Sequence, residues 1–158
     1  MLPLLALALA ADPVVLKVVV IDVSAPDAVY EDISRALTEQ VVGELRSAGL
    51  EAVRVDENAL PEEGCRIGPC LGVVAREQKA QVVVILDATE VDKSHTQVSV
   101  AAMAGRNGMP LTAGRYKAKN GGKPPKELTT FIAQLAKKLS PAVAAGTAAD
   151  AGAPKPAK

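Results

Sequence analysis

The two cysteines of this chain, Cys65 and Cys70, lie in the stretch EGCRIGPCLGVV with four residues between them. Cysteine pairs serve three kinds of chemistry, which are zinc binding, thiol–disulfide exchange and structural bridging. A zinc site needs about four ligands at close spacing, and the single histidine, His95, lies a whole strand further along the chain. A redox pair of the thioredoxin type has two intervening residues, which this pair does not.

A structural disulfide between Cys65 and Cys70 is the interpretation that the flanking residues favour. Gly64, Gly68 and Pro69 permit the tight loop that brings two cysteine β-carbons together. Because closing so short a loop removes only about 2 kcal/mol of chain entropy, we expect the bridge to fix the entry angle of the second helix rather than to hold the whole fold together. Two reduced, packed thiols are the alternative, which a cytosolic location would favour.

Two aspartates lie in strands whose carboxyl ends would line the usual ligand crevice of an α/β sheet. Asp22 ends the first apolar strand, and Asp87 lies in the third. We interpret both as caps of the helix or turn that follows. A small hydrolase-like enzyme using Asp22, Asp87 and His95 is the alternative, although the chain has no G-x-S-x-G elbow and no glycine-rich phosphate loop. The sequence therefore predicts no catalytic residue, no metal site and no cofactor.

An apolar run occupies residues 1–10, reading MLPLLALALA, and ends in small residues before Asp12. This pattern is typical of a secretory signal peptide, with cleavage after Ala10. The run is shorter than the roughly 20 apolar residues that span a bilayer. We therefore expect a periplasmic or secreted protein. The alternative is a cytosolic interaction module whose first residues form a strand.

The composition limits how the core can be built and which class of partner the chain can bind. Of the 158 residues, 49% are apolar but only 2% are aromatic, so the core has to be built from Val, Leu, Ile and Ala. The 18 basic and 18 acidic residues balance to a formal net charge of zero. Since nucleic acids are bound through clustered Lys and Arg, this balance argues against nucleic acid as the main partner.

Apolar periodicity predicts the element order β-α-β-α-β-β-β-α. This order predicts an α/β (α+β) fold, with a mixed sheet of about five strands and helices packed on it. Asn107-Gly108 predicts a type I′ turn between the last two strands. Residues 14–139 then form a single domain, and residues 140–158 form a disordered tail rich in Ala and Pro.

The segment GCRIGPCLGVVAREQKAQVVVIL joins both cysteines to a short helix and a Val-rich strand. It resembles a pattern in exported bacterial proteins, the α/β domain shared by the curli-secretion (CsgG-like) lipoproteins and the amino-terminal domain of TolB. In element order the resemblance runs from Leu16 to Leu139. It implies this fold and an envelope compartment. It does not imply a channel, because the lipid-anchored cysteine and pore-forming strands of the curli proteins are not evident.

The last predicted strand is the candidate partner-binding element. Pro110 cannot donate to a strand ladder, which favours a sheet edge or a strand start, and an edge offers free N–H and C=O groups to an added strand. Arg115, Tyr116 and Lys117 on this strand include the residue types common in binding hot spots. The alternative is that Tyr116 packs beneath the last helix beside Phe131, and that the basic residues form a solvated edge. We predict a non-enzymatic exported domain that binds another envelope protein.

Overall fold

The computed structural model describes residues 15–24, 28–56, 60, 68–120 and 124–144. One mixed sheet carries three helices, and the elements follow the predicted order. The strands are β1 (Lys17–Asp22), β2 (Glu51–Val55), β3 (Val82–Asp92), β4 (His95–Ala104) and β5 (Pro110–Lys119), and the helices are α1 (Ala28–Ser47), α2 (Gly68–Glu77) and α3 (Lys126–Ala144). The predicted α/β (α+β) fold is confirmed.

The sheet has the strand order β2-β1-β3-β4-β5. β1 pairs in parallel with both β2 and β3, and these two pairings need crossovers, which α1 and α2 supply. β3, β4 and β5 pair in antiparallel fashion as a meander. β5 therefore ends the sheet at one side, as the sequence predicts.

The two faces of the sheet contact different helices. Alternate residues of a strand point to opposite faces, so Val18 and Val20 of β1 join the core cluster under α1 and α3. Val19 and Ile21 join a second cluster under α2. All four side chains are fully buried, which explains why β1 reads as a continuous apolar run rather than an alternating one.

Helix α1 ends where Gly49 predicts. Gly49 has φ 84°, its N–H donates to the Arg46 carbonyl at 2.9 Å, and the Leu50 N–H donates to the Leu45 carbonyl at 3.1 Å. These bonds form a Schellman motif, which satisfies the last carbonyls of the helix.

The β4–β5 hairpin lies where Asn107-Gly108 places it, but the predicted type I′ turn is wrong. Gly108 has φ 66°, whereas Asn107 does not have a positive φ, and a type I′ turn needs both. The loop is longer, and the Gly108 N–H donates to the Ala104 carbonyl at 2.8 Å. The cause is tertiary: the Gly105 N–H donates to the Gln81 carbonyl at 2.7 Å, which ties the loop to the start of β3.

Two predicted boundaries differ from the structure. β3 continues to Asp92 and not only to residue 88, because pairing with β4 persists after the apolar residues end. α3 continues to Ala144, so its last residues belong to the segment predicted as a disordered tail. The predicted signal peptide, residues 1–10, and residues 145–158 lie outside the described residues.

Candidate protein-binding edge

The outer side of β5 is a strand edge, since no described strand pairs with it there. Its inner side is bonded to β4, with Tyr116 opposite Val98 and Arg115 opposite Ser99. Just past the strand, the Asn120 N–H donates to the Ser94 carbonyl at 2.9 Å. This bond fixes which residues of β5 direct their main-chain groups towards β4.

Bonded and non-bonded positions alternate along an antiparallel pair. Counting back in twos from Asn120 assigns the inward-bonded positions to Ala118, Tyr116 and Gly114. The residues between them direct both N–H and C=O away from β4. The outer edge of the sheet therefore presents the main-chain groups of Lys117, Arg115 and Ala113.

The three predicted binding residues do not share a face of the sheet. Arg115 and Lys117 are exposed on the face that carries α2, whereas Tyr116 is half-buried on the face that carries α1 and α3. This follows from the two-residue period of a strand. The structure thus brings Arg115 and Lys117 together and directs Tyr116 to the other side.

Tyr116 packs against Phe131 of α3, the alternative that the sequence left open. The ring centroids are 5.7 Å apart and tilted by 51°. The tyrosine ring also lies across Gly114, where an added β-carbon would come within 2.7 Å of Tyr116 Cε2. Burial raises the pKa of the Tyr116 phenol above its usual value.

A groove runs between the edge strand and the last helix, and we call it the β5–α3 groove. Its volume is about 370 Å³, and it is lined by Tyr116, Lys126, Glu127, Thr130, Phe131 and Gln134. Sequence reasoning missed this groove, because it forms only when the edge strand and the helix meet. Two signals were usable: the possible packing of Tyr116 beside Phe131, and Gly114, which lies two residues before Tyr116 on the same face of the strand.

We expect Tyr116→Ala to lower the free energy of unfolding by about 2 kcal/mol. The substitution removes a half-buried ring and its aromatic contact, so the cost falls below that of a fully buried aromatic. Tyr116→Phe keeps the ring and should cost less than about 1 kcal/mol. Urea denaturation of the two variants measures this, and equal stability of Tyr116→Ala and wild type would contradict the packing.

The tight turn between β3 and β4 places a carboxylate beside the edge. Asp92 Oδ1 accepts from the Ser94 hydroxyl at 2.7 Å and lies 2.9 Å from His95 Nδ1. The Ser94 hydroxyl, then His95, then the Ser94 N–H hold the pKa of Asp92 well below its usual range. Lys117 Nζ lies 3.5 Å from Asp92 Oδ2, so this carboxylate lies next to one cation of the edge.

Asp22 and Asp87 lie on opposite faces of the sheet. Asp22 accepts from Ser24 Oγ at 2.6 Å and from the hydroxyl of Ser34 on α1. Asp87 lines a cavity of about 140 Å³ on the other face, together with Val23, Ile85, Ser99, Ala101 and Met103. The hydrolase-like alternative is not assembled, because the sheet separates the two carboxylates. Asp22 instead accepts hydrogen bonds from Ser24 in the segment that follows β1, which is the capping role that the sequence predicts for it. The same prediction is wrong for Asp87, because β3 continues past it to Asp92.

The cysteine pair is described only in part. Cys70 lies in the first turn of α2, half-buried against the core cluster beneath that helix. Cys65 lies outside the described residues. The disulfide between them stays a prediction.

Within the described part of the chain, no three His, Cys, Asp or Glu side chains come together as metal ligands would. Nor is any described helix both long enough and apolar enough to cross a membrane. No protein-family model matches the chain, and no curated protein matches it.

Solved structures show remote likenesses. The PelC dodecamer from Paraburkholderia phytofirmans is 21% identical with a TM-score of 0.45, and the match covers 79% of this chain and 85% of that chain. A lipoprotein from Neisseria meningitidis is 14% identical with a TM-score of 0.48, covering 78% and 96%. TolB from Acinetobacter baumannii is 11% identical with a TM-score of 0.45, and the match covers 84% of this chain but 29% of TolB.

These likenesses are too distant to carry an argument about what this chain binds. TolB, which the resemblance drawn from the sequence names, is among the matching structures. The curli-secretion half of that resemblance is not confirmed.

Proposed function

We propose that this protein is a non-enzymatic, exported domain that binds another protein of the bacterial cell envelope by accepting an added strand at β5. The observation that supports this is the edge itself, where Ala113, Arg115 and Lys117 direct their main-chain groups outward. Strand addition uses such groups for affinity and neighbouring side chains for specificity.

The positions of the carboxylates favour binding over the hydrolase-like alternative. That alternative needs Asp22 and Asp87 in one site, and they lie on opposite faces of the sheet. At β5, in contrast, a free edge, two exposed basic side chains and a groove occur within one strand and its neighbouring helix. These features together are those of a peptide-docking surface.

A proline at position 113 tests the docking edge. Ala113→Pro removes one outward N–H that an added strand would use, and Ala113→Ser is the matched control because it keeps that N–H. After chemical cross-linking in the host periplasm, we expect wild type and Ala113→Ser to form a cross-linked product with the same envelope protein. We expect Ala113→Pro not to form that product. Retention of that protein by a folded Ala113→Pro variant would refute docking at this edge.

The mass of the protein recovered from the host periplasm tests export and the predicted disulfide together. We expect a chain that begins at Ala11, because the signal peptide ends at Ala10. We also expect a mass lower by two hydrogens, because Cys65 and Cys70 are joined. Treatment with a reductant should restore the two hydrogens. An intact Met1 on cytosolic protein would instead favour the cytosolic interaction module.

A further inference from the structure

We propose that the segment which docks on β5 is an extended peptide of a partner protein in which acidic and apolar residues alternate. This inference rests on the proposed function and adds the chemistry of the occupant. It follows from the two different surfaces that β5 offers, one on each face of the sheet.

The main-chain groups set the position of the added strand. Its N–H and C=O groups would bond to Ala113, Arg115 and Lys117, which point away from β4. Residues directly opposite one another in such a pair have their β-carbons about 5 Å apart and on the same face. The side chains of β5 therefore dictate which residue types suit each face of the incoming segment.

The first face is basic. β5 carries Arg115, Lys117 and Lys119, all exposed, and no acidic residue. In β4 the residues opposite the first two are Ser99 and Gln97, which carry no charge. Lys117 has Asp92 at 3.5 Å, whereas no described carboxylate forms an ion pair with Arg115. Acidic residues on this face of the incoming strand would complement these cations.

The second face is the β5–α3 groove. Its lining includes the Tyr116 and Phe131 rings, which are both half-buried, and the exposed residues Lys126, Glu127 and Gln134. Because Gly114 has no side chain, a residue opposite Gly114 on the incoming strand would meet the Tyr116 ring directly. An apolar side chain there would bury its surface against the ring, whereas a carboxylate would meet the negative face of the ring. The alternate positions of the segment should therefore be apolar.

A second copy of this chain is a poorer occupant. Pairing β5 with another β5 would bring two sets of Arg115 and Lys117 onto the same face. Like charges on facing residues of a strand pair are destabilising, and basic residues on an edge are a common way to prevent such self-association. The charge of the edge thus favours an acidic segment from a different protein.

Three seven-residue peptides test the proposal on the full chain at low ionic strength. The first is acetylated and amidated Glu-Leu-Glu-Leu-Glu-Leu-Glu. The second has the same composition with its leucines contiguous, and the third has Lys in place of Glu. We expect the alternating acidic peptide to bind at least about tenfold more tightly than either control, because only it matches both faces. Equal binding of the basic peptide would overturn the proposal.

Charge reversal provides the matched variant. Arg115→Glu/Lys117→Glu alters two exposed side chains that face away from the core, so the fold should be kept. We expect this variant to prefer the Lys-containing peptide by about tenfold, the inverse of the wild-type preference. An unchanged preference for the acidic peptide would place binding elsewhere and overturn the proposal.

Amide hydrogen exchange reports whether the peptide docks as a strand. On binding, exchange should slow at Ala113, Arg115 and Lys117, whereas Gly114 and Tyr116 are already bonded to β4 and should not change. Protection confined to sites other than the outward-directed N–H groups of β5 would overturn the proposal. A concentration-dependent dimer that Ala113→Pro abolishes would assign the edge to a second copy instead.

The outcomes for the occupant and for the edge are distinguishable. If no peptide binds, but Ala113→Pro still loses the natural envelope partner, the docking edge stands and the alternating acidic and apolar chemistry is wrong. If the acidic peptide binds wild type and Ala113→Pro equally well, the edge itself is not used, and both the proposed function and this inference fail.

Discussion

Ala118→Pro should lower the free energy of unfolding by about 3 kcal/mol, whereas Ala113→Pro should lower it by less than about 1 kcal/mol. The two substitutions are chemically identical and lie in the same strand. They differ in the direction of the N–H that proline removes. Ala118 is 4% exposed and lies at an inward-bonded position opposite Thr96 of β4, so a proline there removes a ladder bond.

At Ala113 the N–H points to solvent, so its loss leaves the ladder with β4 intact. Proline also restricts the preceding residue to extended conformations, and Thr112 already has such a conformation within β5. Thermal and urea denaturation of both variants provide the measurement. Equal destabilisation would mean that the inward and outward positions of β5 are assigned wrongly. In that case Ala113, Arg115 and Lys117 would not be the docking residues.

The elements could be predicted because apolar periodicity and end signals are local. In α1, Leu37, Val41 and Leu45 recur every fourth residue and are fully buried, as the pattern indicates. Gly49 ends the helix through its own positive φ. Neither feature depends on a distant part of the chain, so both can be recognised in the sequence.

Features that depend on pairing between distant segments could not be predicted in the same way. β1 and the first half of β3 contain unbroken apolar runs, Val18–Ile21 and Val82–Leu86, so their sequences do not show which residues face α1 and which face α2. Only the register, with Asp22 opposite Leu86, places Asp22 and Asp87 on different faces. The prediction of the hairpin turn type was wrong for a similar reason, because the Gly105 N–H is bonded to the carbonyl of Gln81, which lies just before β3 and is distant in sequence.

The candidate site was predictable in part. Pro110 and the basic residues pointed to an edge strand, and β5 is the last strand of the sheet. The two-residue period of a strand places Arg115 and Lys117 on one face and Tyr116 on the other, so this separation could be predicted from the sequence. The contact between Tyr116 and Phe131 is one of the two arrangements that the sequence left open. The groove beside it could not be predicted, since its lining comes from two elements that meet only in the folded protein.

Asp22 has a structural role that a substitution should reveal. Its Oδ1 accepts from the Ser24 N–H at 3.0 Å and from Ser24 Oγ at 2.6 Å. Its Oδ2 accepts from the hydroxyl of Ser34, which is 5% exposed. Ser24 Oγ in turn accepts from the Ala88 N–H at 2.9 Å. One carboxylate therefore connects the end of β1 to α1 and, through Ser24, to β3.

We expect Asp22→Ala to lower the free energy of unfolding by about 3 kcal/mol, because it removes charge-assisted hydrogen bonds and leaves the buried Ser34 hydroxyl without its main acceptor. Asp22→Asn retains one carbonyl oxygen and should lose roughly half as much. In a double-mutant cycle, Asp22→Ala and Ser34→Ala should cost less together than the sum of the two, since they remove the same bond. Urea denaturation of the four proteins in the cycle measures this coupling. If Asp22→Ala is as stable as wild type, the structural role is contradicted, and the Asp22 carboxylate of the wild type is available to bind a ligand. The expected loss of unfolding free energy would instead show that Asp22 stabilises the packing of α1 on the sheet.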